Sequence, residues 1–332
     1  MAVMTYAQAA QLALRQEMQR DPRVWALGED LGPEGGVAGQ YLDLQREFGR
    51  DRIVDTPISE STIMGSAIGA AICGTRPVVE LRYADFGLCA ADEIVNQAAK
   101  ARYMLGGQVR VPVVIRQQIG FRDGMAAQHS QSTEAWWVHI PGLVVVAPAT
   151  PSDSHELLKA AIRCDDPVIY MEHKELWTTS GEVDTAVEPA PLGRALVRRH
   201  GTDLTLVTWS GMLPDCLAAA ETLSARGVQV EVIDLRTLWP WDRDTVFGSV
   251  ARTGRLLVVH QAVRIGGFGA ELVAETTECL FGDLDCAPRR LGAPRTPVPY
   301  SQPLEALCRV SEAQIVATVL AMVGAAASTG HR

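Results

Sequence analysis

Along the first half of the chain, short runs of mostly apolar residues alternate with longer stretches of helical character. The runs are Arg23–Leu27, Ile53–Val54, Pro77–Leu81, Val111–Ile115, Leu143–Val146 and Val168–Met171. They lack polar alternation, the mark of strands covered on both faces. A helix opened by the capping box Thr5–Gln8 runs through Gln19, and a shorter one ends at Phe48. Two more cover Cys89–Leu105, stopped by Gly106-Gly107, and Ser154–Arg163. Acid, proline and glycine without periodicity then mark a linker over residues 181–196. A second alternating series follows, with strands at Leu204–Val207, Val228–Ile233 and Leu256–Val259. Its helices cover Asp215–Ala225, Arg243–Ala251, Phe268–Cys279 and Glu312–Met322. The pattern predicts an α/β chain with two parallel-sheet, three-layer domains, residues 1–180 and 197–324, and a flexible tail over 325–332.

The stretch Ile53–Gly74 has a character of its own. Pro57 ends a short strand, because proline donates nothing to a ladder, and Ser59 can cap a helix that starts at Glu60. Ile63, Met64, Gly65, Ala67, Ile68, Gly69, Ala70 and Ala71 make that helix small and apolar, so it reads as buried. Each glycine weakens an exposed helix by roughly 1 kcal/mol relative to alanine, which fits a place where another backbone comes close. Glu60 is then either an acid favoured by the helix dipole or a carboxyl kept partly protonated by burial.

Composition narrows the function classes. A chain of 332 residues, 47% hydrophobic, can form two cores, and its net charge of −9 argues against nucleic acid as a partner. No apolar run is long enough to suggest a membrane span, and the start lacks the basic and apolar regions of a signal peptide. Seven scattered cysteines without a CxxC pair suggest a reduced, cytoplasmic protein without a zinc site.

In open parallel sheets ligand groups collect at the carboxyl ends of the strands. Glu29, Glu60, Asp85-Phe86 and His129 each follow a predicted strand and so share one rim. His129, between Gln128 and Ser130, suits an acid/base or phosphate-facing group, or equally a loop-bracing one. Phe86 is either a platform for a planar ring or a core aromatic. Gly266, Gly267 and Gly269 lack the G-x-G-x-x-G spacing of a dinucleotide loop, and no Walker, HExxH or G-x-S-x-G motif occurs.

Six motifs occur in one order: Asp55–Glu60, Ala84–Phe86, Asn96–Lys100, Ala126–Gln131, His139–Leu143 and Thr296–Ser301. Together they resemble the β subunit of the thiamine-diphosphate-dependent first component of 2-oxo acid dehydrogenase complexes, over roughly Thr5–Val323. The resemblance implies a transketolase-type pyrimidine-binding domain followed by a transketolase C-terminal-like domain. It implies that Glu60 hydrogen-bonds the cofactor's aminopyrimidine ring, that Phe86 packs on that ring, and that Glu29 and Ile58 also bind the cofactor. His129 would face the substrate, as a second catalytic residue beside Glu60. Main-chain atoms at Val113, Ala161, Ile162, Cys164 and Asp166 match a potassium site of some relatives.

The same resemblance expects a Gly-Asp-Gly segment to hold the diphosphate through magnesium, and this sequence has none; Gly282-Asp283-Leu284 is not one. The chain is therefore expected to carry half a site, completed by an α subunit in an α2β2 heterotetramer, with docking on a dihydrolipoyl acyltransferase core. Its departures from the family pattern are Ala38, Arg82-Tyr83, the Ile119–Met125 loop and Gln261. They lie near the expected substrate pocket. Pyruvate is the first substrate expected, with a branched-chain 2-oxo acid or acetoin as alternatives. A stand-alone transketolase-like enzyme and a non-catalytic scaffold are the rival classes.

Overall fold

The computed structural model describes residues 1–122 and 124–329. The chain divides into two compact units, described in turn. The first spans Met1–Arg122 and Gln128–Leu192, with Leu238–Pro240; the second is built chiefly from Gly193–Thr237 and the residues from Trp241 on.

The first unit begins with β1 (Ala2–Thr5), α1 (Tyr6–Arg20), β2 (Val24–Gly28), α2 (Leu44–Phe48), β3 (Ile53–Asp55), α3 (Glu60–Ile72) and β4 (Arg76–Tyr83). It continues through α4 (Ala99–Met104), β5 (Val114–Ile119), α5 (Glu134–Val138), β6 (Val144–Val146), α6 (Pro151–Arg163), β7 (Val168–His173) and β8 (Ser180–Val183). Then come β9 (Leu196–Arg199), β10 (Leu204–Thr208), α7 (Leu213–Ser224), β11 (Val230–Asp234), β12 (Thr237–Trp239) and α8 (Arg243–Thr253). The chain closes with β13 (Leu256–Val263), α9 (Gly269–Leu280), β14 (Arg289–Ala293), α10 (Gln302–Glu305) and α11 (Glu312–Thr329).

The sheet of the first unit has the order β12-β6-β7-β5-β4-β2-β3. From β6 to β3 every neighbouring pair runs parallel. One face is covered by α1 and α6, whose Ala10, Leu14, Leu157 and Leu158 pack on Val24, Ala26, Val78, Val114 and Val168. Side chains alternate across a strand, so Val79, Leu81, Ile115 and Ile169 point to the opposite face, and α3 packs against β4 and β2. The sheet of the second unit has the order β14-β13-β10-β11-β9, parallel except for the edge strand β9.

Several elements differ from the pattern reading. The start of the expected linker is a strand: β8 pairs antiparallel with β1, Ala2 opposite Val183 and Thr5 opposite Ser180. The end of that linker enters β9 at Leu196. The Cys89–Leu105 helix is broken into a tight turn at Phe86–Ala90, a π-helical stretch at Glu93–Ala98, and α4. Two of the family-like motifs meet here. Lys100 Nζ donates to Pro141 O at 2.6 Å, and Gly142 has no room for a Cβ, which would stand 2.0 Å from Ala99 O. The last helix continues past Met322 to Thr329, while Gly330–Arg332 of the expected tail and Asp123 of the divergent loop lie outside the described residues. Residues Gln302–Gly324 do reach the length and apolarity of a membrane span, contrary to the composition reading. Yet Ile315, Val316, Val319 and Met322 are buried, and α11 packs on α7, as in the core helix of a globular unit.

The largest departure is polar. The strand expected to end at Ile115 runs on through Arg116, Gln117 and Gln118, all fully buried. Burying such groups is tolerable only when they are paired. Arg116 meets Glu172 in a two-bond fork, Nε–Oε2 at 2.8 Å and Nη2–Oε1 at 2.9 Å. Its Nε lies 3.9 Å from Glu80, which also accepts from Tyr41 Oη at 3.0 Å and from Gln118 Nε2. Burial pushes the Glu80 carboxyl from 4.5 up to about 7, with Arg116 opposing and Glu172 adding to the rise. An unfolded chain then releases this proton before the folded one does. Glu80 therefore lowers stability as pH rises through the window from 4.5 to about 7. The slope is about 1.4 kcal/mol per pH unit within the window. Glu80→Gln, which keeps an acceptor for Tyr41, is expected to gain stability relative to wild type as pH goes from 5 to 7.5 in urea melts. A stability difference that stays flat over that range would refute the assignment.

Candidate active site

The parallel order brings the carboxyl ends of β2, β3, β4, β5 and β7 to one edge of the sheet. Glu29 follows β2 directly, and Glu60 opens α3 after β3. The pair is close enough that burial first, and the Glu60 charge second, raise the Glu29 carboxyl above its ordinary value, with Arg82 opposing. Arg82 Nε stands 3.8 Å from Glu29, and its guanidinium also bonds Asp30. Arg82 reaches these acids from a bulge in β4. Its φ is +54°, and the register with β5 shifts between Glu80 and Tyr83.

Beside this acidic pair lies a triangle of rings. Tyr83, Phe86 and His129 meet edge to face, with centroids 5.3 Å apart for Tyr83–Phe86, 5.0 Å for Tyr83–His129 and 5.2 Å for Phe86–His129. Tyr83 is buried, while Phe86 and His129 are half-buried. The loop carrying His129 is pinned twice. Lys174 Nζ, at the end of β7, donates to His129 O and lies 5.2 Å from the Tyr83 ring centroid. Gln131 Nε2 donates to Asp85 Oδ1 at 2.8 Å. Below, Gly87 leaves space for the Gln117 amide, which a Cβ would meet at 2.4 Å. Arg82, Tyr83 and Lys174 thus join the site. In the sequence Arg82 and Tyr83 showed only as departures from the family pattern, and Lys174 not at all.

Two expectations about Glu60 change. Its helix is buried along only one side, Ile63, Met64, Ala67, Ile68 and Ala71. The other side, Ser61, Gly65, Ser66, Gly69 and Ile72, is exposed, with open space above Gly65 and Gly69. Glu60 itself is half-buried, and among the described residues no ion pair or side-chain hydrogen bond engages it. Ser59 sits at the cap position without bonding the helix backbone; its hydroxyl donates to Thr62 Oγ1 at 2.8 Å. Of the two readings of Glu60, the described residues give it partial burial only. Ile58 points an apolar side chain into solvent, 79% exposed.

The proposed potassium ligands present a different picture. Ile162 O and Cys164 O accept from Arg76 Nη1 at 3.0 and 2.9 Å. Val113 O accepts the ladder bond of Val168 N at 2.9 Å, and Ala161 O accepts from Cys164 N at 3.2 Å. The Asp166 carboxylate pairs with Arg102. The Arg76 guanidinium thus bonds two of the five main-chain positions expected to hold potassium.

His260, which the pattern placed after its strand, lies within β13. It is buried and stacked on Trp209 at 5.3 Å, and burial lowers its pKa to about 4. A Cβ on Gly267 or Gly269 would stand 2.7 Å from its ring, so these glycines make room for an imidazole.

Comparison with known proteins adds to this geometry. Residues 2–179 match the transketolase pyrimidine-binding domain and residues 193–315 the transketolase C-terminal domain. The chain is 46% identical to the acetoin:2,6-dichlorophenolindophenol oxidoreductase subunit beta of Cupriavidus necator, over 92% of this chain and 93% of that protein. It is 43% identical to a pyruvate dehydrogenase E1 component subunit beta of Leifsonia xyli, over 90% and 88%. It is 40% identical to the 2-oxoisovalerate dehydrogenase subunit beta of Bacillus subtilis, over 96% and 98%. A split-gene transketolase, solved as an inactive beta4 tetramer, shares the fold with a TM-score of 0.79 at 22% identity, covering 97% of this chain and 98% of that one.

Proposed function

We propose that this chain, which belongs to the family of β subunits of thiamine-diphosphate-dependent 2-oxo acid dehydrogenases, supplies the pyrimidine half of an active site that oxidatively decarboxylates pyruvate. The observation that carries this is the meeting of Glu60 with Glu29, and of Phe86 with His129, on one edge of one sheet. The residues fit the cofactor's heterocycle. Among the described residues no ion pair or side-chain hydrogen bond engages the Glu60 carboxyl, and Phe86 is a half-buried ring against Tyr83 and His129. When bound, thiamine diphosphate supplies the carbon nucleophile and the electron sink for decarboxylation.

The chain's own residues do the rest. Glu60 shares a proton with a ring nitrogen of the heterocycle. Glu29 stands beside it, its carboxyl raised above the ordinary value by burial first and by the Glu60 charge second. Phe86 and Ile58 would pack against the heterocycle when it is bound and shield it from water. His129 holds a proton at the substrate oxygen and faces acyl transfer to a lipoyl group. Without a Gly-Asp-Gly segment the diphosphate and its magnesium fall to an α subunit, and the open side of α3 is where that subunit would lie against Glu60. That contact would complete the burial that Glu60 lacks here. An α2β2 assembly and docking on a dihydrolipoyl acyltransferase core complete the proposal.

Acetoin is the second reading, favoured by the 46% identity with the acetoin oxidoreductase subunit. Turnover by the chain co-purified with its α partner, measured with pyruvate, branched-chain 2-oxo acids and acetoin, tests both. The expected result is activity only with both chains present and the highest kcat/KM on pyruvate. Tight binding of cofactor and magnesium by the purified β chain alone would defeat the half-site proposal. Preference for acetoin would replace pyruvate without touching the roles of Glu60 and His129.

A further inference from the structure

At the carboxyl end of α6 the last backbone carbonyls run short of helical partners, although Ala161 O still accepts from Cys164 N, and they carry the negative end of the helix dipole. That is a place for a cation. Relatives with potassium would put it among main-chain oxygens matching Val113, Ala161, Ile162, Cys164 and Asp166. In this chain Arg76, the first residue of β4, reaches across with its guanidinium. Nη1 bonds Ile162 O at 3.0 Å and Cys164 O at 2.9 Å, and Nη2 pairs with Asp165 Oδ1. The side chain is 13% exposed, and Arg110 closes the outer side by pairing with the second oxygen of Asp165.

We propose that Arg76 is a covalently attached replacement for potassium, and that this chain binds no potassium at the end of α6. A potassium ion needs several oxygens at once, and two of the five positions already face a positive nitrogen at hydrogen-bond distance. An ion placed between the same oxygens would sit within a few ångströms of that charge, where like charges repel strongly in a partly buried site. The planar fork of arginine suits this role: one nitrogen spans the two carbonyls while the other meets the carboxylate. The helix end and β4 are thereby joined without a bound ion, so β-chain stability does not distinguish potassium from another monovalent cation at the same ionic strength.

Equilibrium dialysis of the full chain against radioactive rubidium, a potassium surrogate, is expected to retain no stoichiometric ion. Its melting temperature is expected to be the same in potassium, sodium and choline chloride at equal ionic strength. Arg76→Ala opens the carbonyl cluster; it should melt lower in choline chloride, and potassium but not sodium should restore roughly 2–4 °C. Arg76→Lys, should the alanine variant fail to fold, keeps a cation and should show no potassium preference while melting below wild type. One equivalent of rubidium on the native chain, or potassium-selective stabilisation of it, would overturn the proposal. So would an Arg76→Ala chain that melts like wild type in choline chloride, or that melts lower and gains no response to potassium. None of these readouts involves substrate or cofactor, so failure here leaves the active-site assignment standing.

Discussion

Replacing Glu60 with glutamine is expected to lower kcat of the assembled enzyme by about 100-fold or more, the usual scale for a lost acid–base group. The melting temperature of the chain should scarcely move, because among the described residues no ion pair or side-chain hydrogen bond engages Glu60. Glutamine keeps the size and one acceptor of the side chain but cannot exchange a proton with a ring nitrogen. The effect should therefore fall on kcat rather than on assembly with the α partner, which gel filtration can check. Glu29 gives a second readout. Its carboxyl is raised by burial and then by the Glu60 charge, so removing that charge should let the Glu29 pKa fall back toward its ordinary value. The titration can be followed by NMR of the carboxyl carbon. Unchanged decarboxylation in the Glu60→Gln assembly would favour the non-catalytic scaffold over an active site.

Arg116→Met is expected to destabilise the chain by about 3–5 kcal/mol, the scale for leaving a buried charge without its partner. Glu172 would lose both bonds of its fork, and Glu80 the one positive group beside it in this cluster. The damage should be pH-dependent. Protonating the stranded carboxyls relieves it, so the variant should recover part of its deficit toward pH 5. Replacing both ends, Arg116→Met with Glu172→Leu, should return much of the loss, since apolar residues of similar size can take the place of a buried pair. A single variant that melts within about 0.5 kcal/mol of wild type, the range of surface substitutions, would mean that the fork contributes nothing to stability. This cluster lies in the same strands that carry the site. β4 supplies Glu80 and then Arg82 and Tyr83, and β5 leads from Arg116 toward the His129 loop.

How far the site could be read beforehand differs residue by residue. Glu29, Glu60, Phe86 and His129 were legible as residues that follow apolar runs, because strand direction in a parallel sheet sends all such residues to one edge. Arg82 and Tyr83 appeared only as departures from a family pattern. Their part depends on a bulge, where a non-glycine residue at φ +54° turns its side chain toward Glu29. Lys174 carried no signal, because its partner, the carbonyl of His129, is 45 residues away. The strand through Arg116–Gln118 was cut short for the same kind of reason. A charged residue in an apolar run reads as a boundary unless its counter-charge is known, and Glu172 is 56 residues distant.

The sequence by itself determined the elements whose causes are local. Apolar runs set the strands, and glycine and proline set their ends. The Thr5–Gln8 box opened α1, with both reciprocal bonds made at 2.9 and 3.2 Å. The ordered motifs determined the family and with it the two transketolase-type domains. Only the tertiary structure decided that Glu60 is half-buried on an open helix face, that the rings of Tyr83 and Phe86 meet that of His129, and that Arg76 holds the end of α6. Each of those outcomes depends on which strands become neighbours. A backbone preference acts within a few residues, whereas the pairing of a charge or a ring waits for a partner brought from elsewhere in the chain.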